Sequence, residues 1–451
     1  MPSPARVAAF HALSAIADGR TDLPAALVST RQRLRDARDR ALAAEIVMGT
    51  LRWQRNVDFL IERFAGRPLP GIDRDILIVL RLSLYQLLHL DRVPASAVVY
   101  DGVDLARHAR MPHATGFVNA VLRGILRDRH RLPLPPRPAS ATDLAASLAY
   151  LGVTHSHPEW LVARWLERYG FDASERWVRF NNEAPKVTLR VNVRKGPREE
   201  VAGALAAQGV ETAPTPYAPA GLVVLSGNAL PVRLEGAYFV QDEASQLVSV
   251  AVAARPGERV LDLCASPGGK TVAMAGDMEG TGLLVACDVR PRRMRLLRAT
   301  VRSSGARQVH LVHLGASGDL PFAPIFDRVL VDAPCSGLGT IRRDPDIRWR
   351  RSEADLTRLA EGQLQLLRRA ARVLRPGGRL VYATCSSEPE ENEGVVDAFL
   401  AEHREFVPVD LRADLSPLYG VLDERGRLRT LPFAHGMEAF FAAAMARAPD
   451  A

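Results

Sequence analysis

Lysine is almost missing from this 451-residue chain: of its 59 basic residues only Lys186, Lys195 and Lys270 are lysines. Arginine overuse follows from genomic base composition as readily as from an anionic partner, so the net charge of +8 is weak evidence for nucleic acid. The same bias makes Lys270 a position of interest, because a compact ammonium stands where a planar guanidinium is the default. Cysteine is nearly as scarce. The four cysteines lie between Cys264 and Cys385, too few for a disulfide framework. They also lack the paired Cys-x-x-Cys spacing and nearby histidines of a metal site, so no metal is expected and the thiols read as reduced. The longest apolar run, residues 76–90, is broken by Arg81 and is too short to span a bilayer. No basic-then-apolar export pattern stands at the start. These absences leave a cytoplasmic, membrane-free globular protein as the expectation, with room for two or three domains. A monomer is expected.

Residues 1–130 read as all helix, with apolar residues at helical spacing in Val7–Ile16, Ala41–Met48, Asn56–Phe64, Arg74–Leu90, Ala95–Arg107 and Thr115–Leu126. Residues 131–142 form a proline-rich linker. Residues 143–235 are mixed: a helix from Trp160 to Tyr169 closed by Gly170, strands at Val187–Asn192 and Gly221–Leu225, and a helix from Arg198 to Ala207. This small α+β segment is either an RNA-contacting platform or an ordinary linking subdomain. Over residues 236–447 strands and helices alternate. Strands are expected at Arg259–Leu263, Leu283–Cys287, Val309–Leu314, Arg328–Val331 and Leu380–Ala383, with a long helix from Glu353 to Leu374 stopped by Pro376-Gly377-Gly378. The pattern predicts an α/β catalytic domain with a doubly wound parallel sheet, whose ligands bind outside the carboxyl ends of the strands.

The first strand end carries Cys264-Ala265-Ser266-Pro267-Gly268-Gly269-Lys270, a turn with almost no side chains, and a helix is expected from Ala273. Adjacent glycines permit positive φ and close approach of a ligand to the backbone. A helix start then offers unpaired N–H groups. The turn is neither a P-loop nor a dinucleotide fingerprint. Twenty residues past Gly268, Asp288 ends the second strand, placed to accept hydrogen bonds from ribose hydroxyls. A phosphate-free nucleoside such as S-adenosylmethionine fits this pair of features, while a turn serving topology alone is the competing reading.

The fourth strand runs into Asp332-Ala-Pro-Cys335 and the fifth into Thr384-Cys385, so each delivers one cysteine to the same crevice. A cysteine is more often a small buried hydrophobe than a nucleophile. Two at adjacent strand ends, one of them close to Asp332, point to covalent chemistry. Cytosine C5 is a poor nucleophile until a thiolate adds to C6 while an acid engages N3. The methyl then transfers to C5, a base removes the C5 proton, and the cysteine leaves by elimination.

Pro267-Gly-Gly-Lys270, Asp332-Ala-Pro-Cys335 and Thr384-Cys385 resemble the motifs of the Sun/Fmu family of bacterial RNA cytosine-C5 methyltransferases. Ala237–Ser245 is similar to the start of that family's catalytic domain, and Ser156–Trp160 and Leu189–Asn192 to its N-terminal RNA-binding subdomain. Gly49–Arg52, Leu84–Leu88 and Gly116–Arg123 resemble a NusB-like helical domain. The resemblance implies a Rossmann-like S-adenosylmethionine-dependent methyltransferase acting on small-subunit ribosomal RNA. It makes Cys385 the nucleophile, Cys335 the residue that assists product release, Asp332 the group that orients or protonates the base, and Lys270 its support. Cys264 to Lys270, Asp288 and Asp332 would hold the cofactor. The family's usual acidic residue after the third strand aligns with Gly315, and the spacing to Asp319 does not match.

Two basic clusters fit RNA. Residues 341–351 interleave five arginines with Trp349, which could hold phosphates and stack on a base. Arg290, Arg292, Arg293, Arg295, Arg298 and Arg302 follow Asp288 and read mostly as a solvated helix face. Transfer RNA is the second substrate reading. A reading of another class is an RNA-binding assembly or antitermination factor with a degenerate methyltransferase fold, in which the two cysteines, Asp332 and Lys270 have no use.

Overall fold

Seven helices come first: α1 (Pro4–Ala17), α2 (Leu23–Arg33), α3 (Ala37–Arg52), α4 (Gln54–Ala65), α5 (Arg74–His89), α6 (Ala95–His108) and α7 (Thr115–Arg127). They are seen in a computed structural model that describes residues 2–232, 234–412 and 420–449. Asp22, Asp36 and Asp73 cap α2, α3 and α5, each carboxylate accepting from first-turn N–H groups that have no partner inside the helix. The apolar faces meet in one core containing Phe10, Ile46, Leu60, Leu80, Leu105 and Leu122. Gly49 is required there, because a Cβ would stand 1.8 Å from the Tyr85 ring. Without it the ring lies against α3, and its hydroxyl donates to Glu45.

After α7 the proline-rich stretch has no regular structure over residues 132–138, and Leu132 and Leu134 lie against the helical core. Then come α8 (Leu144–Ala149) and α9 (Glu159–Asn182). Gly170 closes the first of two helical stretches within this span, as expected. It sits at φ 74°, ψ 177° and kinks α9, which resumes and runs to Asn182. That conformation is open almost only to glycine, and Trp165 and Trp177 stack across the kink with centroids 4.5 Å apart.

Next comes a four-stranded antiparallel sheet, built from β1 (Thr188–Val191), α10 (Arg198–Ala206), β2 (Glu211–Pro214), β3 (Gly221–Ser226) and β4 (Tyr238–Val240) in the order β2-β3-β1-β4. Leu189, Val191 and Leu222 from the strands share a core with Val201 and Leu205 of α10.

Following α11 (Glu243–Val252), the large sheet begins with β5 (Arg259–Asp262), α12 (Gly269–Asp277), β6 (Leu283–Asp288), α13 (Pro291–Ser304), β7 (Val309–His313) and β8 (Phe326–Asp332). It continues through α14 (Ile347–Arg350), α15 (Ala354–Val373), β9 (Leu374–Thr384), α16 (Glu393–Glu402), β10 (Phe406–Val409), β11 (Leu428–Arg429), α17 (Pro432–His435) and β12 (Phe441–Arg447). The order is β10-β12-β9-β8-β5-β6-β7, with β11 beside β12. The five expected strands, β5 to β9, are parallel. The antiparallel pair β10 and β12 extends the sheet beyond β9. Consecutive residues face opposite layers: Val260 and Leu284 belong to one core, Leu261 and Val285 to the other. The chain runs outward from β5 through β6 to β7, then returns to place β8 on the other side of β5. The carboxyl ends of β5 and β8 therefore flank the topological switch point, where ligands bind in such sheets.

Two compact units result: Met1–Glu183 with Ile341–Arg350, and Ala184–Thr340 with Arg351–Ala451. The segment 341–350 thus leaves the loop after β8 and is built into the first unit. Arg348 is wholly buried there, donating to the carbonyls of Arg52, Ser156 and Asn181 and to Asn182 Oδ1. Trp349 Nε1 donates to Leu51 O at 2.6 Å, and Arg342 lies 3.9 Å above the Phe180 ring. The expectation that this cluster holds phosphates is corrected for Arg342 and Arg348, which are spent on interior contacts; Trp349 is half-buried and Arg350 is exposed. No helix among the described residues is long and apolar enough to cross a membrane.

Candidate active site

At the end of β5 the backbone turns sharply. Leu263 N donates to Leu330 O and Ala265 N to Cys287 O, extending the pairing of β5 with β8 and β6 by a residue on each side. The Ser266–Pro267 peptide is cis. Gly268 has φ 106°, a conformation that favours glycine, and a Cβ there would crowd Leu297 Cδ1 at 2.9 Å and Thr300 Cβ at 3.2 Å on α13. Helix α12 starts directly at Gly269, four positions before the expected Ala273, and brings its free N–H groups to the turn.

The expected residues separate into lining and frame. Cys264, Ser266, Lys270, Asp288, Asp332, Cys335 and Cys385 all line one cleft of about 900 Å³. That volume is within the range of small-molecule sites, roughly 300–1,000 Å³. Ala265, Pro267, Gly268 and Gly269 do not line it. Ala265 is buried in the core, and the other three shape the turn. Asp288 is buried at the tip of β6, where its Oδ1 accepts from Arg290 N at 2.9 Å. Leu314, Ala316, Ser317 and Gly318 form the wall after β7. Asp319 turns away from it and pairs with Arg372, so this loop brings no carboxylate into the cleft.

Lys270, on α12, and Asp332, at the end of β8, form an ion pair of 2.7 Å. Burial alone would push the ammonium down, but the charge and hydrogen bond of Asp332 hold it above the usual lysine range. The ring of Phe440 lies 5.6 Å from Nζ. Beneath the pair is a residue that sequence reasoning missed, Asp262. It is buried at the end of β5, accepts from Thr271 Oγ1 at 2.7 Å, and has no partner on Oδ1. Burial first, and then the charge of Asp332, push its carboxyl up to about 7. A carboxylate closing an otherwise apolar strand was the available signal.

The loops after β8 and β9 are tied together. Ala333 N donates to Ala383 O, and Gly339 N to Cys385 O. The sulfurs of Cys335 and Cys385 are 3.2 Å apart. The hydrogen bond to Cys385 and then burial push the Cys335 thiol well above its ordinary range. Burial likewise raises Cys264, and Cys287 to about 12, which keeps both as neutral thiols. Glu391, buried behind the pair, was also missed. It sits in the run Glu388-Pro-Glu-Glu391, which reads as a solvated acidic turn.

Around the cleft stand Lys270, Arg290, Arg293, Arg351, Arg358 and Arg369 against only Asp288 and Asp332. That excess favours a polyanion.

Residues 249–446 match the family described as 16S rRNA methyltransferase RsmB/F, residues 3–127 the NusB family, and residues 157–231 the RsmF/B-like ferredoxin-like domain. A Bacillus subtilis protein named as a probable ribosomal RNA small subunit methyltransferase B is 35% identical over 90% of each chain. The Pseudomonas putida ribosomal RNA small subunit methyltransferase B is 34% identical over 94% of each. Among solved structures, PH0851 superposes with a TM-score of 0.79 at 29% identity, covering 99% of both chains. A methyltransferase homologue from Pyrococcus horikoshii gives 0.58 at 29% identity, covering 67% of this chain and 99% of its own. The chain therefore belongs to the RsmB/F family of S-adenosylmethionine-dependent RNA methyltransferases, with a NusB-family helical domain and a ferredoxin-like subdomain ahead of its Rossmann-like sheet.

Proposed function

We propose that the protein methylates C5 of a cytosine in small-subunit ribosomal RNA through a bond between Cys385 and C6 of the base. The observation that carries this reading is the thiol pair, 3.2 Å apart, in the same cleft as the Lys270–Asp332 ion pair. The names of the relatives support the ribosomal substrate.

Cys264, Ser266 and Lys270, on the turn that the glycines shape, would hold the cofactor, and Asp288 would accept from its ribose hydroxyls. S-adenosylmethionine supplies the methyl group from its sulfonium. Asp332, held by Lys270, engages N3 while the Cys385 thiolate adds to C6, which loads electron density onto C5 for methyl transfer. Loss of the C5 proton to a base then expels Cys385, and Cys335, in contact with that sulfur, assists this breakdown. We divide the chain for function into an RNA-recruiting helical domain (1–130), a linker (131–142), an α+β subdomain (143–235) and the catalytic domain (236–447).

Bisulfite sequencing of ribosomal RNA from a deletion strain tests the proposal. One methylated cytosine in small-subunit RNA is expected to disappear, and to return with the intact gene but not with Cys385→Ala. An unchanged methylation pattern would overturn the substrate.

A further inference from the structure

Cys335 and Cys385 are each followed by a serine, and both serines bind one buried carboxylate. Glu391 is fully buried, in a short turn after the loop of Cys385. Its Oε1 accepts from Ser336 N at 2.8 Å and from Gln363 Nε2 at 2.9 Å. Its Oε2 accepts from Ser336 Oγ and Ser386 Oγ, each at 2.5 Å. Gln363 also donates to Pro334 O at 3.0 Å, so the residues on both sides of Cys335 are held. Tyr382 Oη, on the strand leading to Cys385, donates to Gln363 Oε1 and to Glu391 O.

A buried carboxylate is costly unless hydrogen bonds satisfy it. Glu391 makes no ion pair among the described residues, and neutral donors alone balance it. A carboxylate accepts all four, whereas an amide in its place would turn its NH2 toward the two hydroxyls, which would then have to accept instead of donate. Glu391 does not line the cleft, so it touches neither base nor cofactor. The arrangement adds to the other ties between the two loops, Ala333 N to Ala383 O, Gly339 N to Cys385 O and the Ser336–Ser386 hydroxyl contact of 3.2 Å.

We propose that Glu391 is a positioning residue that sets the distance between the sulfurs of Cys335 and Cys385. Its importance for catalysis rests on the reading of Cys385 as nucleophile with Cys335 as its assistant. The spacing itself does not.

The distance is measurable without RNA. Diamide takes two electrons and two protons from a thiol pair, forming the S–S bond and becoming the hydrazine. Treated with diamide, the full-length protein should close a Cys335–Cys385 disulfide, counted by alkylation and mass spectrometry, with Cys264 and Cys287 as internal controls. Glu391→Ala should slow closure roughly tenfold or more, since displacements near 1 Å carry penalties of that order or larger. Glu391→Gln should slow it less, and Ser336→Ala and Ser386→Ala should each slow it by removing one arm. In single turnover at saturating RNA, Glu391→Ala should lower the rate of adduct formation with RNA and cofactor affinities unchanged. Closure at the wild-type rate in a folded Glu391→Ala protein would overturn the proposal. If that variant does not fold, wild-type closure rates in both serine variants overturn it instead. Glu391-dependent closure in the wild type, together with no RNA adduct in Cys335→Ala, would keep this inference and refute the covalent reading.

Discussion

The sulfur of Cys335 lies 3.2 Å from that of Cys385, and that contact together with burial pushes the Cys335 thiol up. The roles proposed for the two thiols predict different outcomes when each is replaced. Cys385→Ala should abolish methylation and any covalent RNA species. Cys335→Ala should attack and methylate, then accumulate an adduct that survives denaturing electrophoresis and depends on Cys385. Both variants should bind S-adenosylmethionine normally. An adduct trapped by Cys385→Ala instead would reverse the roles.

Asp288 offers its second oxygen at the tip of β6, the first being engaged by Arg290 N. Replacement by alanine should weaken S-adenosylmethionine binding by roughly 1.5–3 kcal/mol, the range for a charge-assisted hydrogen bond. Calorimetry with unchanged affinity would remove Asp288 from the cofactor site.

Asp262 makes stability depend on pH. Its carboxyl is raised in the folded protein to about 7, so the unfolded chain ionises first. The stability it contributes is complete below the ordinary carboxylate range and is lost as pH climbs through about 7. Asp262→Asn should flatten the melting temperature between pH 5 and 8 on the order of several degrees. A variant that tracks the wild type across that window would show that Asp262 is ionised throughout.

Along α13, Arg292, Arg295, Arg298 and Arg302 are exposed and make no ion pair among the described residues, whereas arginines such as Arg328 and Arg368 are paired. Changing Arg295, Arg298 and Arg302 to glutamine should weaken RNA binding and reduce its salt dependence by roughly 0.7 per lost phosphate contact. Cofactor affinity should not change. An unaltered salt slope would return this helix to the solvated face that its sequence suggests.

The strand ends were legible because buried parallel strands read as apolar runs, and chemistry sits where those runs stop. Lys270, Asp288, Asp332, Cys335 and Cys385 were found that way, and the cleft gathers them. What escaped was long-range. A buried arginine such as Arg348, solvated by carbonyls, has the same sequence signature as one facing RNA. Glu391 looks like surface acid until Ser336, Ser386 and Gln363 close on it. Strand β12 contains Ala442-Ala-Ala444, a composition that favours helix locally; sheet neighbours on both sides override it. Gly170 was legible as a helix stop; that a second helical stretch follows directly and stacks Trp177 on Trp165 across the break was not.

Strand β12 also gives the site a place in time. Phe441 pairs with Thr384 and Ala442 with Ala383, so β12 is the outer neighbour of the strand that delivers Cys385. It is the last strand of the sheet to be translated, and Phe440, beside Lys270, immediately precedes it. A nascent chain can therefore already contain all four cysteines while β9 still has one open edge and the cleft lacks a wall. Closure of the cleft thus rests on the segment that enters β12, well after Cys385 in the chain.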